Sequence, residues 1–595
     1  MNRTLTATIL MLTLVPSALA ASPSDEIAEA RALFEKNLAA IEAKDKDAYL
    51  STYLESPSLA RTGPTGFILG YDDLAATTGS GWPDTFEGRD LRLVQVTPGV
   101  VYGTYRYRVR YGSDESSGIS ERFFVKTESG AWKIAVSTAF ENPPGTPPAP
   151  LALVGATLID GSGGVPLPDS VVVIRNGEID CAGPATDCQV PDGVAILDVK
   201  GKWLTPGLID MHVHFSQTGW ADARPDALDV SDAHPFDEVH ARLRNRPETF
   251  FRSWLCSGVT GVFDVGGMSW TTRLPARADR DGRAPAVRAA GPLLSTVSHE
   301  VLNLPADKQL IHIVDEASAR TGVRYLAAIG ASAIKVWFIR REPQAEAAVM
   351  AAGDEAKKVG LPLIVHATSL ETAKVAVNAG AKLLVHSIDD ADVDEEFLAA
   401  AKRAGTAYCP TLTVRGGYVR LYDSAATASP PPVDDASRCV DPETHDRVRS
   451  TSQVELAEEM KERLPGYKAR ADKGLEQSRK NLLAVRSAGI PVVMGTDAGN
   501  PLTLHGPSVY AELEAMQASG LTPMDVIVTA TSAAAAALPD GAGLGTISRG
   551  KVADVLVLSG DPTADISNMR RLDWVVRAGV ARSLDELRDV VKSKE

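Results

Sequence analysis

The stretch LTPGLIDMHVH, Leu204 to His214, decides how the chain is read. After Pro206-Gly207 a short apolar run, Leu208 to Met211, leads into His212-Val213-His214, and a run of that length bounded by turn residues reads as a buried strand. Residues i and i+2 of a strand share a face, so both imidazoles can converge on one cation at the strand's end. Two histidines alone are weak evidence. Four of the ten histidines, however, end apolar stretches of this kind, because His366 and His386 close two more of them as VHA and VHS. Asp497 closes Met494-Gly495-Thr496-Asp497, and Lys335 lies inside Ile334-Lys335-Val336-Trp337. A lone Lys or Asp in such surroundings costs several kcal/mol unless it is paired or metal-bound. His212, His214, Lys335, His366, His386 and Asp497 therefore read as one site.

Outward from this stretch, short apolar segments alternate with helical ones. The segments are those around Asp210, SGVTGVFDV, AVRAAG, SAIKVWF, PLIVHAT, KLLVHSI, TAYCPTL and PVVMGTD. Such alternation is the signature of βα units, and eight strands suggest an α/β fold with a closed (β/α)8 barrel over residues 206–539. A polar, Pro-containing segment, about 415–473, reads as an insertion after the seventh strand, and long insertions at such loops are often lids. Strand-rich segments flank the barrel at 151–205 and 540–583.

Upstream, the Pro-rich stretch ENPPGTPPAP, 141–150, reads as a stiff linker. It closes off residues 21–140, which open with helices from about Asp25 to Ala43 and Asp47 to Leu54 and then turn strand-like. Tyr105, Tyr107, Val109 and Tyr111 alternate with Arg106, Arg108 and Arg110, so one face of that strand is apolar and the other cationic. Two more strands, SERFFVKT and GAWKIAVSTAF, meet at Ser129-Gly130. Residues 1–20, with Arg3, an apolar run from Leu5 to Val15 and Ala18-Leu19-Ala20, have the pattern of a cleaved secretory signal, so the expected location is secreted, in a periplasm-like compartment. Export permits disulfides. Cys181 and Cys188 can close a short loop, Cys256 and Cys409 read as buried thiols, and Cys439 stands in the polar insertion. A net charge of −15 speaks against nucleic acid as a partner, and after Ala20 no apolar run reaches membrane-spanning length.

These positions and motifs closely resemble the amidohydrolase superfamily over about residues 151–583, in its imidazolonepropionase and Xaa-Pro dipeptidase-like branch. SGVTGVFDVGG, GTDAG, HGPSVYAELEAM and LGTISRGKVADVLVL are family-like as well. The resemblance implies a TIM barrel flanked by a composite β-sandwich. It implies that His212, His214 and Asp497 hold one divalent ion, His366 and His386 a second, and that Lys335 is N6-carboxylated and bridges them. Nitrogen and oxygen ligands without thiolate suit zinc, and admit manganese, iron or cobalt. A hydroxide shared by the two ions would attack the substrate carbonyl, with Asp497 as general base handing its proton to the leaving amine. Residues 21–140 resemble the NTF2-like (SnoaL-like) α+β fold, with an accessory role in homo-oligomerisation or substrate access expected of them.

The expected substrate is a small molecule with an amide bond, a dipeptide or an N-acyl amino acid. The alternatives are a cyclic amide, a xenobiotic ester or lactam, or a non-catalytic ligand-binding barrel. Two departures bear on this: Val385-His386-Ser387 stands where relatives carry an EHG-type motif, and Thr296-Val297-Ser298-His299-Glu300 stands where many carry a GGH-like loop. His299, Trp337, Arg340 and His505 are the loop residues expected to grip a substrate.

Overall fold

Helix α1 (Pro23–Glu42) buries Ala30, Phe34, Asn37 and Ile41, whose spacings of three and four place them on one stripe. Asp45 caps α2 (Lys46–Leu50) by accepting the Ala48 N–H at 3.0 Å. The computed structural model describes residues 23–63, 66–79, 81–111, 114–141 and 149–592. The expected leader and all but Glu141, Ala149 and Pro150 of the expected linker lie outside the described residues. The chain divides into two compact units that part between Thr146 and Pro147.

In the first unit, β1 (Ala60–Gly63), β2 (Gly66–Leu69), α3 (Tyr71–Thr77), β3 (Thr85–Thr97), β4 (Val100–Tyr111), β5 (Asp114–Lys126) and β6 (Trp132–Glu141) follow the two helices. The strands form one sheet in the order β2-β1-β6-β5-β4-β3, antiparallel except where β1 meets β6. Tyr105, Tyr107 and Val109 turn inward as their alternation predicts, with Phe34 of α1 set 4.7 Å from the Tyr105 ring. The side chains of Arg106, Arg108, Arg110 and Tyr111, on which the expected cationic face partly rests, lie outside the described residues.

The second unit opens with β7 (Leu151–Leu158), β8 (Leu167–Arg175), β9 (Glu178–Pro184), β10 (Ala195–Asp198) and β11 (Trp203–Pro206). Parallel strands and helices then alternate: β12 (Leu208–Val213), α4 (Phe236–Asn245), α5 (Glu248–Cys256), β13 (Val259–Asp264), α6 (Leu274–Ala278), β14 (Ala286–Ala289), β15 (Leu293–Ser295), β16 (Leu310–His312), α7 (Glu316–Ala328), β17 (Ile334–Val336), α8 (Pro343–Lys358), β18 (Leu363–His366), α9 (Leu370–Asn378), β19 (Leu383–Val385), α10 (Glu395–Ala404) and β20 (Ala407–Cys409). Helices α11 (Val414–Thr427), α12 (Pro442–Arg449), α13 (Glu458–Ser487), α14 (Ser508–Ala518), α15 (Pro523–Thr529) and α16 (Ser532–Ala537) precede the final strands β21 (Val555–Leu558), β22 (Leu572–Arg577) and β23 (Val580–Ser583) and the helix α17 (Leu584–Lys592). β21 pairs with β11, so the two flanking segments form a single eight-stranded sheet, with β10 alongside β7.

Two parallel sheets, β12-β13-β14 and β16-β15-β17-β18-β19-β20, make up the centre. The Ser332 N–H donates to Ala289 O at 2.7 Å, joining the end of β14 to the approach to β17. Pro491 to Asp497, expected as a strand, has no continuous ladder. It meets β20 through Tyr408 N–H to Pro491 O and β12 through Met211 N–H to Met494 O and Asp497 N–H to His212 O. Except for β14 and β16, the strands of these sheets are buried on both faces at most positions, which is why the sequence shows apolar runs there in place of alternation. The short β15 and β16 add residues that no apolar run announced. The insertion is helical: α11, α12 and the first half of α13 occupy it, with Pro465 inside α13. No helix among the described residues is long and apolar enough to cross a membrane.

Cys181 and Cys188 are disulfide-bonded, and Cys409 is a buried free thiol. Cys256 corrects its expected state as a thiol: it is bonded to Cys439, 183 residues away, and ties α5 to the insertion. No local spacing signals a bridge of that span. In the loop-closure account a bridge across so long a loop is worth about 5 kcal/mol and one across seven residues about 2 kcal/mol. The Cys256→Ser/Cys439→Ser chain should therefore unfold at clearly lower denaturant than the Cys181→Ser/Cys188→Ser chain, as read by urea melts of the two double variants.

Candidate active site

His212 lies near the end of β12 and His214 just after it, His366 ends β18, His386 follows β19, and Lys335 sits at the middle of β17. All point to one end of the parallel strands, where successive strand ends bring groups from distant sequence together. Asp497 is the hub. Its Oδ1 lies 3.1 Å from His212 Nε2 and 2.9 Å from His214 Nε2, and its Oδ2 lies 3.8 Å from His386 Nε2. The His366 and His386 rings are 4.4 Å apart edge to face, and His212 and His386 4.8 Å. His386 and Asp497 both hold left-handed backbone conformations, φ 74° and 64°, of the strained kind that persists where surrounding structure dictates it. Gly495 lets the strands close in: a Cβ there would meet Cys409 Sγ at 2.5 Å and His212 Cβ at 2.9 Å.

The electrostatics of the cluster are one-sided, with five groups that are cationic when protonated surrounding one carboxylate. Burial first, and then the other nitrogen bases, hold His212 and His386 well below the ordinary histidine pKa and bring His366 to about 3. Burial likewise brings the Lys335 amine down to about 7. Neutral imidazoles offer lone pairs. His214 Nδ1 lies 2.6 Å from Gly266 O, which can only accept, so in the neutral ring Nε2 presents its lone pair to Asp497 Oδ1. Acceptor facing acceptor at that distance is repulsive unless a cation lies between them. His212, His214 and Asp497 have the proximity of a metal-ligand set, and the buried Nδ1 atoms of His212 and His366 have no hydrogen-bond partner. The residues thus fit divalent ions with nitrogen and oxygen ligands.

Neighbouring polar side chains hold these residues in place. Asp210, fully buried, accepts from His212 N–H (3.1 Å), Thr496 N–H (3.0 Å) and Thr496 Oγ1–H (2.6 Å), tying β12 to the segment that carries Asp497. Asp264 accepts the Gly266 N–H at 3.1 Å and so positions the carbonyl that faces His214. His386 Nδ1 meets Thr411 Oγ1 at 2.8 Å, and Asn500 Nδ2 donates to Asp497 Oδ1 at 2.7 Å. Sequence alone did not single out these partners, because a polar residue beside a motif looks the same whether it holds a ligand or faces solvent.

These residues open into a cavity of about 270 Å³. One wall is apolar, from Leu293, Leu302, Leu310 and Trp337, and another carries Arg224, Tyr418 and Asn500. Of the four expected substrate residues only Trp337 lines it. His299 packs edge-on against Trp337 at 5.2 Å, and Arg340 points outward with Glu342 at 3.7 Å. His505 is buried behind the ligands, stacked 3.8 Å from the Phe250 ring with Nε2 on His214 O at 3.0 Å, so it braces the backbone of β12's end and does not face the cavity. Gln217 and Gln309, whose buried Oε1 atoms are unpartnered, and Arg224 and Tyr418 are cavity residues that the sequence did not reveal.

Asp210→Ala would strand three buried donors at about 1–3 kcal/mol each, whereas Asp210→Asn keeps one acceptor oxygen. The Ala chain should show the larger fall in its urea midpoint and a measurable loss of zinc affinity in equilibrium dialysis, and the Asn chain less of both.

A model of the Amidohydrolase family matches residues 203–581. A dihydroorotase of Anaeromyxobacter dehalogenans is 39% identical over 131 residues, 20% of this chain and 29% of that protein. An imidazolonepropionase of Rhizorhabdus wittichii is 28% identical over 302 residues, 45% of this chain and 69% of that protein. Among solved structures, a Xaa-Pro dipeptidase with methionine in its active site superposes with a TM-score of 0.54 at 23% identity, covering 73% of this chain and all of that one, a likeness of fold. With the family model covering more than half of its length, the chain belongs to the amidohydrolase family.

Proposed function

We propose that the second unit is a (β/α)8 barrel whose buried cluster is a binuclear metal centre, and that the protein hydrolyses the C–N bond of a small amide, a dipeptide or an N-acyl amino acid. The observation that carries this reading is the convergence of four imidazoles, one carboxylate and one desolvated lysine on a cavity of about 270 Å³. His212, His214 and Asp497 would hold one ion, His366 and His386 the other, and Lys335 would reach both as its N6-carboxylate. A pKa near 7 keeps much of the Lys335 amine unprotonated at neutral pH, the form that adds to carbon dioxide with release of one proton. Two divalent ions, zinc by ligand chemistry, supply Lewis acidity toward the substrate carbonyl and make the attacking water acidic enough to react at neutral pH.

Asp497 moves the proton. Asn500 occupies its Oδ1 from one side, and its Oδ2 has the wider spacing to the nearest imidazole. That carboxylate would take the proton of the attacking water and deliver it to the departing amine nitrogen, which leaves as a neutral amine when the C–N bond breaks. The apolar wall of Leu293, Leu302, Leu310 and Trp337 favours an apolar acyl side. The names of the relatives, an imidazolonepropionase and a Xaa-Pro dipeptidase, support carbon–nitrogen hydrolysis. Two disulfides support export. In the first unit, helices beside a six-stranded sheet support an NTF2-like accessory domain.

The zinc-loaded chain should release amine from dipeptides or N-acyl amino acids, and Asp497→Asn should lower kcat/KM by about 10²–10⁴-fold. Silence across a panel of dipeptides, N-acyl amino acids and cyclic amides would overturn the reading. Lys335→Ala should bind less metal by elemental analysis and lose activity, with partial recovery on adding a short carboxylate such as propionate; full activity without it would refute the bridging role. Exhaustive treatment with a chelator should abolish turnover, and added zinc should restore it.

A further inference from the structure

A second cavity, of about 280 Å³, adjoins the first, and Thr368, His386, Val414 and Arg415 line both. Ser387, Asp389 and Pro410 to Thr413 follow β19 and β20, α11 supplies Arg415 and Arg420, and α13 supplies Asp472, Ser478 and Arg479. Its chemistry differs from that of the first cavity, whose far wall is the apolar group around Trp337. The ion pair of Arg415 with Asp389 lies where the two meet, seated against α13 at Gly474, where a Cβ would come within 3.4 Å of both partners.

The cations of the second cavity are incompletely met. Arg415 has Asp389. Arg420 donates to Leu502 O at 3.0 Å, and Asp434, the carboxylate whose field reaches it, is itself held by both ends of the Arg570 guanidinium. Among the described residues neither Arg420 nor Arg479 has a carboxylate in ion-pair contact. Three guanidinium groups against Asp389 and Asp472 leave this cavity one positive charge in excess. Arg224, on the other side of the ligands, is a weaker anion receptor, because Asp226 accepts from its Nε and Nη2 at 2.8 Å each and Asn500 accepts from its Nη1.

We propose that this second cavity is the leaving-group chamber, that it takes the amine half of the substrate, and that this half carries a carboxylate recognised by Arg415, Arg420 and Arg479. The assignment rests on the amide-hydrolase reading above. The apolar acyl half then lies against Trp337, the scissile bond sits beside His386 at the junction of the cavities, and the freed amino acid departs past Arg415. The helices α11 and α13 are thereby specificity elements, and the Cys256–Cys439 bridge anchors the segment between them to α5.

Binding, measured apart from turnover, tests this. The probe is the ketomethylene isostere of N-hexanoyl-L-leucine, in which CH2 replaces the amide N–H so that no C–N bond remains to be cleaved, together with its C-terminal carboxamide. Both are titrated calorimetrically into the zinc-loaded full chain. The acid should bind at least about tenfold more tightly than the carboxamide, the scale of one charge-assisted hydrogen bond. Arg420→Ala and Arg479→Ala should each weaken the acid and leave the carboxamide unchanged. Arg479 is on an exposed helix position, so its variant folds even if that of Arg420 does not. Equal affinities, a preference that survives both replacements, or no binding of either probe would overturn the chamber assignment. If the arginine-dependent preference appears but neither N-hexanoyl-L-leucine nor any member of the amide panel is hydrolysed, the amide-hydrolase reading fails and the anion chamber stands. Hydrolysis without the preference gives the converse.

Discussion

Everything at the candidate site depends on one carboxylate, Asp497, set among buried nitrogen bases. Burial makes charge expensive there, so His212, His366 and His386 are driven toward neutrality, and the neutral ring of His214, with Nδ1 on the Gly266 carbonyl, turns a lone pair toward an oxygen that also only accepts. Such an arrangement is self-repelling as protein alone and becomes cohesive around cations. The left-handed backbone at Asp497 and His386 belongs to the same site, where both side chains meet.

The surrounding fold is organised to hold that point. Asp210 ties β12 to the segment after Val493, and Glu512 performs a comparable task from α14, accepting from Leu412 N–H at 2.7 Å and Thr413 N–H at 3.0 Å to fix the turn between β20 and α11. That turn carries both Thr411, which meets His386, and the start of the helix that lines the two cavities. The start of α11 and the surroundings of His386 are therefore tied together by Glu512 and Thr411.

Much of this was legible before any coordinates. The six candidate positions stand out because a histidine, lysine or aspartate closing or interrupting a buried apolar run contradicts its surroundings, and that contradiction is local. The same reasoning misjudged His505 and Arg340. Both lie near motifs, but one faces the core behind His214 and the other faces solvent, and nothing within a few residues of either distinguishes those outcomes from a place in the cavity. Arg224 and Tyr418 were missed for the converse reason: each is an ordinary polar residue in a polar segment, and becomes notable only when chain segments nearly 200 residues apart stack them 5.7 Å from each other.

What the sequence by itself determined is the set of short apolar runs, their order, and the reactive residues at their ends, because burial on both faces dictates composition residue by residue. Tertiary structure alone decided which groups meet across the chain. The Cys256–Cys439 bridge, the return of β21 to β11, the closing contacts of Pro491 to Asp497 and the second cavity walled by α11 and α13 all arise from pairs of segments whose sequences carry no mark of each other. The physical reason is that propensity and hydrophobic pattern act over a few residues, whereas disulfides, sheet partners and cavities are set by how whole elements pack.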